Sequence, residues 1–139
     1  MAGGGHALAA LLSRLGALMI EDRERAVAYV AGRLCTFSSA RLIRDAETGR
    51  LVLMSGEVSA DRVHIYDFQT RGYLAGSRTA GRWNLFHAGD NATIELIQTE
   101  PDRFAGHDHS SGQWFAVTVT GRIALVKDMI PGRSRRYAL

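Results

Sequence analysis

The sequence predicts an α+β protein, mainly β. An N-terminal helix or helix pair (residues 1–33) precedes four antiparallel β-hairpin repeats of about 21 residues (34–130) that form a closed or nearly closed sheet, and a basic tail (131–139) follows. Three observations lead there. The hydrophobic period changes from helical to alternating near Cys35. A ladder of turn signals recurs at an almost constant interval. A length of 139 residues suffices for one real core and leaves little room for two. With 46% hydrophobic and 22% charged residues, the chain has the composition of a globular domain rather than of a disordered or membrane protein.

The helical part comes first. Leu8, Leu12, Leu15 and Met19 fall on one stripe, and Val27 and Val30 on another. Between them "EDRER" places Glu21 and Arg25 four residues apart and supplies acids for a second helix start. Gly32 is the expected C-cap.

The repeats follow. "LIRDAETGRLVLM", "HIYDFQTRGYLAG", "NLFHAGDNATIEL" and "AGHDHSSGQWFAV" superpose without gaps, with Asp45, Asp67, His87 and Asp108 at their fourth positions and spacings of 22, 20 and 21. Val52, Leu74, Ile94 and Phe115 stand seven residues later. Ile43, Ile65 and Leu85 stand two residues earlier, where the last repeat has Gly106 instead. Each segment is a strand, a polar turn and a returning strand. One hairpin is marginal in water, but several with one apolar face each pool those faces into a core, and closure removes exposed edges. The final "GRIALVKD" carries Asp128 another 20 residues on. It reads as a half repeat whose strand pairs near "LCTFS" and seals the sheet.

Charge narrows the partners. Residues 1–126 hold 13 Arg against 13 Asp or Glu, so Lys127, Asp128, Arg133, Arg135 and Arg136 supply the whole net +3. Only the tail is basic. It is expected to be a solvated terminus, with a phosphate-binding arm for nucleic acid as the sharper alternative. No apolar run approaches the roughly 20 residues of a transmembrane helix. The N-terminus lacks a basic segment before its apolar run, which Arg14 interrupts, so a signal peptide is not expected and a cytoplasmic location is. A single cysteine allows no internal disulfide, and Cys35 beside Leu34 and Phe37 reads as a small buried hydrophobe. The "NAT" sequon at Asn91 is then coincidental.

For chemistry, the chain has no phosphate-binding glycine loop, no "HExxH", no "CxxC" and no nucleophile elbow. No catalytic residue and no enzymatic activity are expected. The sharpest candidate is "GHDHSSG". His107 and His109 are two apart and would share one face of a strand, and with His87 or Asp90 from the preceding hairpin they would complete a shell for a divalent metal such as Zn²⁺ or Ni²⁺. Against this, Asp108 matches Asp45 and Asp67, which have no histidine beside them, and an Asp entering a β-turn accepts backbone N–H groups. The aromatics Tyr73, Trp114 and Phe115, with Trp83 and Phe86, are expected in the core, with a ligand groove as the alternative.

Four successive hairpins of this length, with "YD" or "HD" entering the turn and an aromatic leaving it, resemble the four-fold β-flower type of small bacterial protein over about residues 41–128. The tubby-like barrel is also similar in its successive "YD" hairpins, although this chain is short of strands for it. The β-flower resemblance implies a fold and no activity. The function expected is a non-enzymatic binding or structural protein, with Leu8, Leu12, Leu15 and Met19 on helices that dock a partner. A homo-oligomer or a subunit of a larger assembly is the expected state.

Overall fold

The computed structural model describes residues 21–36, 39–129 and 132–139. Among these residues are one helix, α1 (Glu21–Thr36), and ten strands: β1 (Leu42–Asp45), β2 (Leu51–Val58), β3 (Arg62–Asp67), β4 (Gly72–Thr79), β5 (Arg82–His87), β6 (Ala92–Glu100), β7 (Arg103–Asp108), β8 (Gln113–Thr120), β9 (Ile123–Asp128) and β10 (Ser134–Ala138). The strands run as an antiparallel meander closed into a barrel by pairing of β1 with β10. The chain is therefore mainly β, with the helix preceding the sheet. The stripe of Leu8, Leu12, Leu15 and Met19 lies outside the described residues.

The strands alternate as the period of two requires. Ile43, Ile65 and Leu85 are buried on the inner face, and so are Val52, Leu74, Ile94 and Phe115. Gly106, the exception in the ladder, has a steric cause. It lies opposite Phe115, and a Cβ there would come within 2.3 Å of the Phe115 ring and 2.6 Å of the Glu95 carbonyl oxygen. The Phe115 ring fills the space that an apolar side chain occupies in the other repeats.

Two expectations are corrected. The strand ending at Asp128 is not a half repeat, because β9 and β10 form a fifth hairpin. The tail is accordingly no solvated arm: Ser134–Ala138 stands between β9 and β1, with Tyr137 fully buried and Arg135 turned inward beside acids. Alternation explains it, since the strand "SRRYA" sends Arg135 and Tyr137 to one face and Ser134 and Arg136 to the other.

The second correction concerns α1, whose residues 23–32 are all buried. The helix runs inside the barrel and is its core. Ten strands about 4.8 Å apart and tilted by about 40° close into a tube roughly 20 Å across, which leaves about 10 Å from axis to wall, the room one helix needs. Small residues suit that space. "AVAYVAG", residues 26–32, is apolar around the whole circumference, and no residue from Ala26 to Ala31 exceeds 1% exposure. Gly32 does not cap the helix, which continues to Thr36; a Cβ there would meet the Leu139 side chain at 2.6 Å. Residues 23–32 thus present no face to a partner.

Candidate functional site

The five hairpins bring Asp45, Asp67, His87, Asp108 and Asp128 to one end of the barrel, all on the inner face and all buried. This follows from parity, because each lies two residues beyond an inward position. The three best-defined acids divide their labour. Asp45 Oδ1 accepts from the backbone N–H groups of Glu47 and Thr48, Asp67 Oδ1 from Gln69 and Thr70, and Asp108 Oδ1 from Ser110. The expected turn-closing role is present. The other oxygen of Asp67 and of Asp108 meets the first turns of α1. Arg25 donates to Asp67 Oδ2 at 2.7 and 3.2 Å, and Arg23 to Asp108 Oδ2 at 3.0 Å and Asp90 Oδ2 at 2.9 Å. Arg135 approaches Asp45 at 3.9 Å and Glu24 at 3.7 Å. The positive end of the helix dipole lies among the same carboxylates.

In this collar burial works against the Arg25 charge, but Asp67 and Asp22 outweigh it and hold the guanidinium firmly protonated. Glu24 differs. Burial pushes its carboxyl up to about 7 even though the Tyr137 hydroxyl donates to it at 2.8 Å, because Asp128 adds like charge. Burial and the neighbouring Glu24 push the Tyr137 hydroxyl well above its ordinary value. The predicted Glu21–Arg25 pair is replaced: Arg25 bonds Asp22, one residue closer, and reaches across to Asp67. Buried and mutually bonded, these groups lock the helix in depth and rotation.

The proposed metal ligands do not converge. His87 is buried inside, with Nδ1 3.5 Å from Asp90 Oδ2, whereas His107 and His109 lie on the outer side of the wall. His107 packs on Trp114 with ring centroids 4.2 Å apart, and His109 Nε2 is 2.9 Å from Glu95 Oε1, which lowers that carboxyl. Among the described residues no three His, Cys, Asp or Glu side chains come together to hold a metal ion. The physical reason is the pleat. His107 and His109 flank Asp108, so a register that sends Asp108 inward sends both imidazoles out. Trp114, Tyr73 and Phe86 are outward for the same reason and are exposed, while Trp83 and Phe115 are core residues.

The opposite end of the barrel is different. Here α1 stops, and a cleft of about 500 Å³ opens between Arg33 and Leu34 of its last turn, Ser39, Val58 to Ala60 at the β2–β3 turn, and Arg78, Trp83 and Gln98 on the neighbouring strands β4, β5 and β6. Arg78 and Trp83 are direct register partners, and the Arg78 guanidinium lies 4.9 Å over the indole ring. Arg33 donates to the Gly56 carbonyl at 3.0 Å and to the Tyr29 hydroxyl at 3.2 Å. Cys35 is half-buried nearby, its Sγ 3.3 Å from the Pro101 carbonyl oxygen, and burial pushes its thiol up, away from a nucleophilic thiolate. The cleft combines an indole, aliphatic walls and a few polar heads.

The sequence reading singled out Trp83 but missed Arg78, Gln98 and Arg33. Counting by twos from Leu74 and Ile94 reaches Arg78 and Gln98 on the inner face, where polar residues are unexpected. No family model matches the chain, and comparison with curated proteins and with solved structures gives no match either.

Proposed function

We propose that this is a non-enzymatic binding protein: a closed, helix-filled barrel that takes a small, largely apolar molecule into the cleft at one mouth. The observation that carries this reading is the cleft itself. Its volume of about 500 Å³ falls within the range of small-molecule sites, and barrel mouths are among the places where such sites form. The two ends of α1 make the mouth available. One end is tied down by buried ion pairs, and the other ends beside the cleft, which Arg33 and Leu34 of its last turn line. The test uses the indole of Trp83. The chain has two tryptophans, so Trp114→Phe leaves Trp83 as the sole reporter. Titrating that variant with 1-decanol is expected to shift the Trp83 emission saturably, and filling the cleft by Ala60→Phe is expected to abolish the shift. An emission indifferent to the probe would overturn the reading.

A second reading, self-association, is favoured by one specific feature of the outer wall. Leu42, Leu51, Leu53, Phe68, Tyr73 and Phe86 are each 43–59% exposed. Leu42 pairs with Leu53, the Phe68 N–H bonds the Leu53 carbonyl, and Phe68, Tyr66, Tyr73 and His64 form a chain of ring contacts at 4.8 to 4.9 Å. Taking about 150–250 Å² for a large side chain, this band offers on the order of 500 Å² of apolar surface. One side of a standard interface buries about 800 Å², of which about 57–65% is apolar, so a second copy of the chain fits. Exposed Arg44, Arg71, Glu47 and Glu57 supply both signs around the band. Sedimentation velocity is expected to give a dimer that Tyr73→Arg converts to a folded monomer. A monomeric wild type at micromolar concentration would end this reading.

A further inference from the structure

We infer that the mouth cleft selects an amphiphile with an anionic head, a carboxylate on an apolar chain, and that Arg78 is the group that reads the charge. The inference rests on the cleft reading above and adds the chemical class of the ligand.

The position of Arg78 comes first. On β4 the inward residues are Gly72, Leu74, Gly76 and Arg78, so the alternation that builds the core delivers a guanidinium to the rim of the tube. On β6 the same count ends at Gln98. Between them β5 presents Trp83, which is 1% exposed. Polar side chains at inward register positions run against the apolar rule that holds along the rest of these strands. They stand on adjacent strands around one indole.

The charge around the cleft points the same way. Arg33 and Arg78 line it, and no Asp or Glu is among its lining residues. The C-terminal end of α1 brings about half a negative charge to the mouth, and Arg33, in the last turn, offsets it. Arg33 is also engaged by the Gly56 carbonyl and the Tyr29 hydroxyl. Arg78 differs: among the described residues its guanidinium rests on the Trp83 ring and forms no ion pair. Stacking holds the plane and leaves the edges of the guanidinium to donate, which is the fork a carboxylate accepts with two parallel bonds. Leu34, Val58, Ala60 and the indole then receive the chain. A neutral apolar ligand would not need the inward arginine.

The test compares sodium decanoate, kept below its micelle concentration, with 1-decanol, on full-length Trp114→Phe protein at neutral pH and low salt. Trp83 emission is the readout. Decanoate is expected to bind roughly tenfold or more tighter than the alcohol, the scale of one charge-assisted hydrogen bond in a partly dry site. Arg78→Gln is expected to erase that difference, and Arg78→Lys to recover part of it. Arg44→Gln, on the outer wall, should change neither. Equal binding of the two probes, or a preference for decanoate that survives Arg78→Gln, overturns the inference and leaves the cleft reading standing. Failure of both probes overturns the cleft reading as well.

Discussion

Replacing Glu24 by Gln is expected to stabilise the protein in mildly alkaline solution and to leave it nearly unchanged in acid. Glu24 is buried in the collar, with Tyr137 donating to Oε1 at 2.8 Å and the Arg135 guanidinium 3.7 Å from the same oxygen without a hydrogen bond. Burial raises its carboxyl from 4.5 to about 7, so the folded chain holds the proton more tightly than the unfolded one. The sign follows from linkage. The contribution is fully present below about 4.5 and is lost as the pH rises through about 7. Each pKa unit corresponds to about 1.4 kcal/mol, so the shift is worth on the order of 3 kcal/mol across that window. Gln keeps an acceptor for Tyr137 and never ionises. Its difference from wild type should be near zero at about pH 4.5 and grow toward 3 kcal/mol in favour of Gln at about pH 9. Groups that titrate equally in both proteins cancel. Urea unfolding at a series of pH values reads the difference directly, and with slopes of about 1–3 kcal/mol/M the midpoint moves by at least about 1 M. A difference that does not vary with pH would refute the reasoning. So would the opposite slope, which would mean that the carboxylate is ionised and held by Arg135.

Three further outcomes follow from the same geometry. Arg25→Met leaves Asp67 buried without its partner and is expected to cost about 3–5 kcal/mol in chemical denaturation, with much of the loss recovered in Arg25→Met, Asp67→Asn. Gly106→Ala forces a Cβ against both the Phe115 ring and the Glu95 carbonyl; a loss of about 1–3 kcal/mol is expected, only partly relieved by Phe115→Leu because the carbonyl stays. Truncation after Pro131 removes β10, exposes the edges of β9 and β1, and takes Tyr137 from Glu24. Amide exchange in those two strands should then rise to that of an open edge, and unchanged protection would contradict the closure.

Much of the fold is written in the alternation. The ladder marked the turns at Asp45, Asp67, His87 and Asp108, and the inward positions seven residues after these four are in the core, but it ended on a half repeat where the chain has a fifth hairpin. What the ladder did not convey is what fills the barrel. The clue lies in "AVAYVA", which is apolar on all sides and so marks a helix with no solvent face, whereas "EDRER" just before it looks like an exposed charged turn. Both belong to one buried helix. Parity carries the connection: Asp45, Asp67, Asp108 and Asp128 share a face with Ile43, Ile65, Gly106 and Val126, and inward carboxylates need cations that can reach them. Arg23 and Arg25 are those cations. The same parity argues against the histidine cluster, since inward Asp108 and inward His87 put His107 and His109 on the other side of the wall. The fifth hairpin was hidden because its last strand, "SRRYA", carries charges whose inward member finds acids only in the folded barrel.

The collar and the cleft sit at opposite ends of α1, and this separates what holds the barrel together from the proposed binding site. At the N-terminal end, guanidiniums and carboxylates are buried against one another, so removing one partner strands the other. At the mouth, Arg78 is exposed, stacked on an indole, and bonded through its backbone N–H to Asp61 rather than through its side chain. Its replacement therefore removes one cation–π contact, of about 0.5–1 kcal/mol at an exposed site, and no buried ion pair. A variant of Arg78 should melt close to wild type even if it loses its ligand, whereas a variant of Arg25 should lose the fold first. The same helix supplies both ends, and its buried apolar centre transmits position between them. A collar that fixes the depth of α1 also fixes where its last turn stops, and with that the size of the cleft.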